Sequence, residues 1–201
     1  MLRGSELKIV CITAPPGAGK STIISRLLEE RADLRMFAGQ SYTTREPRSG
    51  DVDGEYKHVK VQDFIKMQQR KEFAWFFPHG EYWVGTRYVD ILRAFDPSTL
   101  YISVMTLVPE AVGIVQFIAQ QQGQRILSFF IETPESERLA RMIGRGDEPT
   151  QAEKRAKETA TWDRDYMLEL DVKPVYIPNL TEKIPGEKAL QRILRIIEVR
   201  K

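Results

Sequence analysis

Ala14-Pro15-Pro16-Gly17-Ala18-Gly19-Lys20-Ser21-Thr22 follows the apolar run Leu7 to Ile12 and precedes Ile23, Ile24, Leu27 and Leu28 at helical spacing. Strand, glycine-rich turn and helix in that order form a P-loop. Successive backbone N–H groups at a helix N-terminus make an anion cradle, and Gly17 and Gly19 let the backbone close around phosphate oxygens. The pattern assigns Lys20 to the β/γ-phosphates, the Ser21 hydroxyl to Mg²⁺, and Pro16, Gly17, Ala18, Gly19 and Thr22 to the phosphate cradle of ATP or GTP. Ala14 stands where the pattern has its first glycine and is small enough for the turn. On this reading the Lys20 ammonium contacts only nucleotide phosphates.

From this unit the alternation extends along the chain. Apolar segments at 7–13, 100–105, 126–131 and 175–177 read as core strands with helical patterns between them, which predicts an α/β fold: a parallel sheet flanked by helices. Pro109 opens a helix carrying Val112, Val115, Ile118 and Ala119. Thr133 and Pro134 cap another, and Leu190, Ile193, Leu194 and Ile197 stripe the last. The expected organisation is one domain over residues 1–201. Its core comprises 1–35, 94–143 and 159–201, with an inserted substrate subdomain over 36–93 and a charged lid over 144–158. Within the insert, Pro47 to Gly54 has turn chemistry, and Asp63 caps a short helix that turns Phe64, Ile65 and Met67 inward.

Composition excludes several alternatives. With 201 residues, 42% of them hydrophobic, the chain can bury a substantial core. Thirty basic against 28 acidic residues leave a net charge of +2, which is not the basic field of a nucleic-acid binder. Cys11 is the single cysteine, so no disulfide forms within the chain and a buried thiol is expected. No apolar run is long enough for a membrane span, and a cytoplasmic location is expected.

Ser41-Tyr42-Thr43-Thr44-Arg45-Glu46-Pro47-Arg48-Ser49-Gly50-Asp51-Val52-Asp53-Gly54-Glu55-Tyr56 resembles the acceptor-binding motif of guanylate kinases, S-x-T-T-R-x-P-R-x-G-E-x-x-G-x-D-Y. Two arginines three residues apart around a proline-fixed turn can converge on one phosphate. The resemblance implies that Arg45, Arg48 and Tyr56 bind the acceptor phosphate, with Tyr82 as a second phosphate tyrosine, that Asp51 belongs to the acceptor-binding site, and that Ser41 and Thr86 contact the base. It continues in Arg141, Gly144-Arg145-Gly146 and Arg155, which match the family's lid arginines and are implied to steady the transferring phosphoryl group. Asn179 falls where the family's chain passes the donor adenine. Arg138 lies outside the matched positions and reads as a surface arginine; His58 and His79 read as structural.

Two departures bear on substrate choice. The family's guanine-reading glutamate is absent, and Glu72-Phe73 is followed by Ala74 and Trp75, so an indole stands where a carboxylate belongs. An aspartate pair on the strand after the insert is also absent, and Tyr101-Ile102-Ser103-Val104-Met105 carries no acid. The expectation is therefore an ATP- and Mg²⁺-dependent phosphotransferase acting on GMP or dGMP, with a homodimer left open. The alternatives are a kinase resembling ribose 1,5-bisphosphate phosphokinase and a guanylate-kinase-like interaction module that has lost catalysis.

Overall fold

The computed structural model describes residues 7–37, 40–48, 51–180 and 186–200. The chain runs β1 (Leu7–Thr13), α1 (Lys20–Glu30), β2 (Leu34–Met36), β3 (Ser41–Thr43), β4 (Tyr56–His58), α2 (Val61–Gln69), β5 (Phe73–His79), β6 (Tyr82–Arg87), α3 (Tyr88–Ala94), β7 (Ile102–Thr106), α4 (Pro109–Gln121), β8 (Arg125–Glu132), α5 (Glu135–Gly144), α6 (Pro149–Glu158), α7 (Arg164–Glu169), β9 (Val175–Pro178) and α8 (Glu187–Arg200). Five parallel strands form the main sheet in the order β2-β7-β1-β8-β9.

The central strand β1 is buried along its whole length, as a parallel strand covered by helices on both faces must be. Alternation splits its side chains between two cores. Val10 and Ile12 join Ile23, Ile24 and Leu27 of α1 and Leu190, Ile193 and Ile197 of α8. Ile9 and Cys11 turn the other way, toward Val112 and Val115 of α4 and toward Trp75 and Val84 of a second sheet. That second sheet has the order β4-β3-β6-β5, with β3 antiparallel to β6 and β6 antiparallel to β5. The second core therefore welds the 41–87 segment to the main sheet, and its concave face looks at the P-loop.

Several expectations shift. The short edge strand β2 was not anticipated; the backbone carries it, Phe37 N–H donating to the Val104 carbonyl and Ile102 N–H to that of Asp33. Leu100 is 93% exposed, and β7 starts two residues later at Ile102. Asp63 does not cap α2. Lys60 holds the N-cap position, Asp63 lies in the first turn beside Lys66, and Ile65 points outward because the helical period places only Phe64 fully inside. Thr133 does not cap α5 either; its hydroxyl donates to the Asn179 carbonyl at 2.9 Å, tying the end of β8 to the end of β9.

Cys11 is fully buried, and burial pushes its thiol up to about 12 even though a hydrogen bond with Ser128 opposes the shift. At pH 8 the thiolate fraction is then on the order of 10⁻⁴. Native protein is expected to resist an aromatic disulfide reagent for hours and to react with one equivalent in denaturant. Prompt stoichiometric labelling of native protein would show that β1 opens readily.

Candidate active site

The P-loop, the second sheet and helices α5 and α6 enclose a cavity of about 990 Å³. Its floor is the turn from Ala14 to Thr22. Gly17 and Gly19 adopt φ of +78° and +86°, the left-handed region that disfavours side chains. Neighbours enforce the choice: a Cβ at Gly17 would lie 2.5 Å from the Arg138 carbonyl oxygen, and one at Gly19 2.5 Å from Asn179 Nδ2. Ala14 is absent from the residues with positive φ, which explains why alanine serves at the pattern's first glycine.

Lys20 opens α1, and its ammonium donates to Glu55 Oε1 at 2.6 Å. The expectation that it contacts only phosphates is overturned. Glu55 is 4% exposed and reaches across from the residue just before β4. It also accepts from the Thr106 hydroxyl, at the end of β7, and from the Val52 backbone N–H at 3.4 Å. Burial works against both charges. Desolvation is the largest single influence on each, yet the partner's charge together with the hydrogen bonds around the pair leaves the Glu55 carboxyl below its ordinary range and the Lys20 ammonium above it.

Glu55 was missed in the sequence. Its signal was the acid before the tyrosine in the G-x-D-Y end of the motif, which Gly54-Glu55-Tyr56 matches with one residue fewer. Ser103 and Met105 are both buried within β7 and do not line the cavity, whereas Thr106 does.

Arg45, Arg48, Tyr56 and Tyr82 converge on a second wall. The Arg45 guanidinium lies 5.1 Å from the Tyr56 ring centroid and 5.9 Å from that of Tyr82, and Arg48 lies 5.9 Å from Tyr82. Asp51 organises the turn: Oδ1 accepts from Arg45 Nη2 at 2.7 Å and Oδ2 from the Arg48 backbone N–H at 2.9 Å. Although burial favours its neutral form, Arg45 draws the Asp51 carboxyl below the usual range. Burial and the nearby Arg45 charge lower Arg48 from its ordinary value, the signature of a site short of negative charge. His58 Nδ1 sits 2.7 Å from the Arg45 carbonyl and supports the same turn. Ser49 and Gly50 of the motif lie outside the described residues.

Ser41 and Thr86 sit together on neighbouring strands β3 and β6, with Thr86 opposite Trp75. They are buried side by side with their hydroxyls 3.0 Å apart, and neither lines the cavity. Trp75 does line it, together with Val84, His79 and Trp162. Burial lowers His79 and favours its neutral form.

The third wall is arginine-rich. Arg141 Nη2 donates to Glu137 Oε2 and to the Asn179 carbonyl, each at 3.0 Å. Asp147 accepts from Arg145 at 2.7 Å and from Arg155 at 2.9 Å, so one carboxylate gathers two guanidiniums at the cavity mouth. Asn179 Nδ2 donates to the Ala18 carbonyl at 2.7 Å, which pins the P-loop to the end of β9.

Arg138 is not a surface arginine. It is 5% exposed beneath the P-loop, with Nη1 3.5 Å from the Pro16 carbonyl and 3.5 Å from the Thr159 hydroxyl, and desolvation lowers it from its ordinary value. Its helix position had no sequence signal distinguishing it from Arg141, because burial here is set by the loop packed above it.

Comparison with known proteins agrees with this arrangement. The family model described as guanylate kinase matches residues 6–173. A guanylate kinase of Aromatoleum aromaticum is 37% identical over 150 residues, covering 69% of this chain and 65% of that protein, a little under two thirds of its length. One from Histophilus somni is 32% identical over 188 residues, 84% of this chain and 81% of that protein. The crystal structure of a guanylate kinase from Anaplasma phagocytophilum superposes with a TM-score of 0.63 over 99% of this chain and 88% of that one, at 17% identity, a likeness of fold. With a model match that runs from the first core strand through the second sheet and past Arg155, this chain belongs to the guanylate kinase family.

Proposed function

We propose that the chain transfers the γ-phosphoryl group of ATP to GMP or dGMP, giving ADP and the nucleoside diphosphate. The observation that carries this reading is the convergence on one cavity of Lys20 from the P-loop and the Arg45–Arg48–Tyr56–Tyr82 cluster from the second sheet. A donor cradle and an acceptor cradle facing each other are what in-line phosphoryl transfer requires.

An oxygen of the acceptor phosphate attacks the γ-phosphorus as the bond to the β,γ-bridging oxygen breaks, and the electrons of that bond stay on ADP. The acceptor is already an anion near neutral pH, so no side chain has to remove a proton. Arg45 and Arg48 hold and neutralise it, Tyr56 and Tyr82 wall it, and Lys20 takes the donor's phosphate oxygens. Arg141, Arg145 and Arg155 spread positive charge over the equatorial oxygens where charge accumulates in the transition state. Closure of the 144–158 segment over the donor would exclude water, which would otherwise accept the phosphoryl group.

The oxygen donors here fit Mg²⁺, which prefers hard ligands and keeps several of its waters. Ser21 would hold it together with the donor's phosphates, with the Glu55 carboxylate and Thr106 hydroxyl as nearby oxygen partners in place of the acids absent from β7. When bound, such an ion would supply positive charge to offset that of the phosphates.

The deciding measurement is ADP release with ATP and a panel of acceptors: GMP, dGMP, AMP, dTMP, dCMP and ribose 1,5-bisphosphate. Turnover with the guanine nucleotides above the others is expected. Turnover with ribose 1,5-bisphosphate alone, or with none of the panel, would overturn the assignment.

A further inference from the structure

Behind the donor loop lies a buried cation that no acid neutralises. Arg138 sits in the first turn of α5 and is 5% exposed. Its backbone backs the loop directly, since a Cβ on Gly17 would lie 2.5 Å from its carbonyl oxygen and 3.0 Å from its Cα. Its guanidinium reaches neutral oxygens only. Nη1 lies 3.5 Å from the Pro16 carbonyl oxygen and 3.5 Å from the Thr159 hydroxyl, and the buried Nε–H has no partner. Among the described residues no carboxylate forms an ion pair with it, and Glu135, on the same turn, acts on it only at a distance.

This is a costly place for a charge. A guanidinium stays protonated under ordinary conditions, so it cannot relieve the cost by becoming neutral. Burial takes away its hydration and returns no ion pair, and the first turn of a helix, where backbone N–H groups present the positive end of the dipole, disfavours a cation further. An apolar side chain of similar length would fill the same space without either penalty. The missing anion has a place on the far side of the loop. Pro16 and Gly17, the two residues against Arg138, line the floor of the cavity, where the donor's phosphates rest.

We propose that Arg138 is a positioning residue for the donor nucleotide: from behind the P-loop its charge favours a triphosphate on the loop's other face, and the bound nucleotide supplies the counter-charge that the fold withholds. Arg138 itself lies outside the cavity lining and acts through one thickness of backbone, in a protein interior where salt screens little. The same side chain meets the end of α6. The Thr159 hydroxyl beside it donates to the Arg155 carbonyl at 3.0 Å, so the residue that backs the donor loop also abuts the helix carrying Arg155. The proposal rests on the ATP assignment above and goes beyond it by giving donor affinity a determinant that does not touch the ligand.

The test measures Kd for ATP, ADP and GMP by calorimetry, and the Tm of the ligand-free protein, in wild type and three variants. Arg138→Met removes the charge and fills the space, Arg138→Gln removes the charge and keeps hydrogen-bond donors, and Arg138→Lys keeps the charge. In the Met and Gln variants the Kd for ATP is expected to rise by about 5- to 50-fold, the scale of one buried charge acting on a polyanion across a loop, with a smaller rise for the less charged ADP. The Kd for GMP should stay within about threefold, and Arg138→Lys should hold ATP within about threefold of wild type. Ligand-free Arg138→Met should melt no lower than wild type, because an uncompensated charge has gone. A merely structural arginine predicts the reverse, and a lower Tm with unchanged ATP affinity overturns the proposal. So do an unchanged ATP affinity in Arg138→Gln, equal losses for ATP and GMP, or a loss in Arg138→Lys as large as that in Arg138→Gln. Should Arg138→Met fold poorly, the comparison of Gln with Lys still decides. Absence of ATP binding by the wild-type protein would instead sink the function on which the proposal rests.

Discussion

Lys20→Met is expected to lower kcat/KM by at least about 10²-fold, the scale seen when one preorganised charge stabiliser is deleted from a transition state. The structure adds a second consequence. Lys20 also neutralises Glu55, whose side chain is only 2% exposed, and removing one member of a buried pair leaves the other charge stranded. That penalty is about 3 kcal/mol, the low end of the usual range because the lysine side chain retains some contact with water, and it corresponds to a drop of roughly 6–12 °C in Tm for a chain of this size. The variant Lys20→Met/Glu55→Gln separates the two effects. Gln at 55 can still accept from Thr106 without carrying a charge, so thermal stability should recover while activity does not. Activity of Lys20→Met within about threefold of wild type would refute the phosphate role. Equal thermal stability of the single variant and wild type would refute the buried pair.

The second large effect is expected at the acceptor cradle. Arg45→Ala and Arg48→Ala should each weaken acceptor binding by about 10- to 150-fold, the equivalent of about 1.5–3 kcal/mol for a charge-assisted hydrogen bond, and should leave ATP affinity within about threefold. Arg45 is expected to show the larger loss. It lies between both tyrosines and holds Asp51, so its removal also releases the carboxylate that fixes the Arg48 backbone. Calorimetric titration of each nucleotide separately reads the two sites. Equal losses for donor and acceptor, or none for either, would show that the cluster does not hold the acceptor phosphate.

Both experiments probe side chains whose meaning was legible in the sequence to different degrees. The donor loop was readable because its chemistry is contiguous: strand, two glycines at left-handed φ and the helix that follows all lie within one short run, and local backbone requirements dictate the residue types. The alternation of apolar runs likewise determined the parallel sheet, since a strand buried on both faces admits few polar residues. The acceptor arginines were readable for a similar reason, a proline-fixed turn carrying two cations three residues apart.

What tertiary structure alone decided were the relations between distant segments. Glu55 meets Lys20 across 35 positions of chain because the second sheet folds back over the P-loop, and no local pattern announces such a pair. Arg138 and Arg141 occupy the same helix with the same composition around them, and only the loop packed against α5 makes one a buried support and the other a cavity residue. Ser41 and Thr86 are 45 positions apart in the chain, yet their strands bring the two hydroxyls within hydrogen-bond distance, and the register sets Thr86 opposite the cavity-lining Trp75. Local propensity sets which elements form. Which carboxylates are neutralised, and by which cations, depends on pairings across the fold, where burial makes an unpaired charge costly.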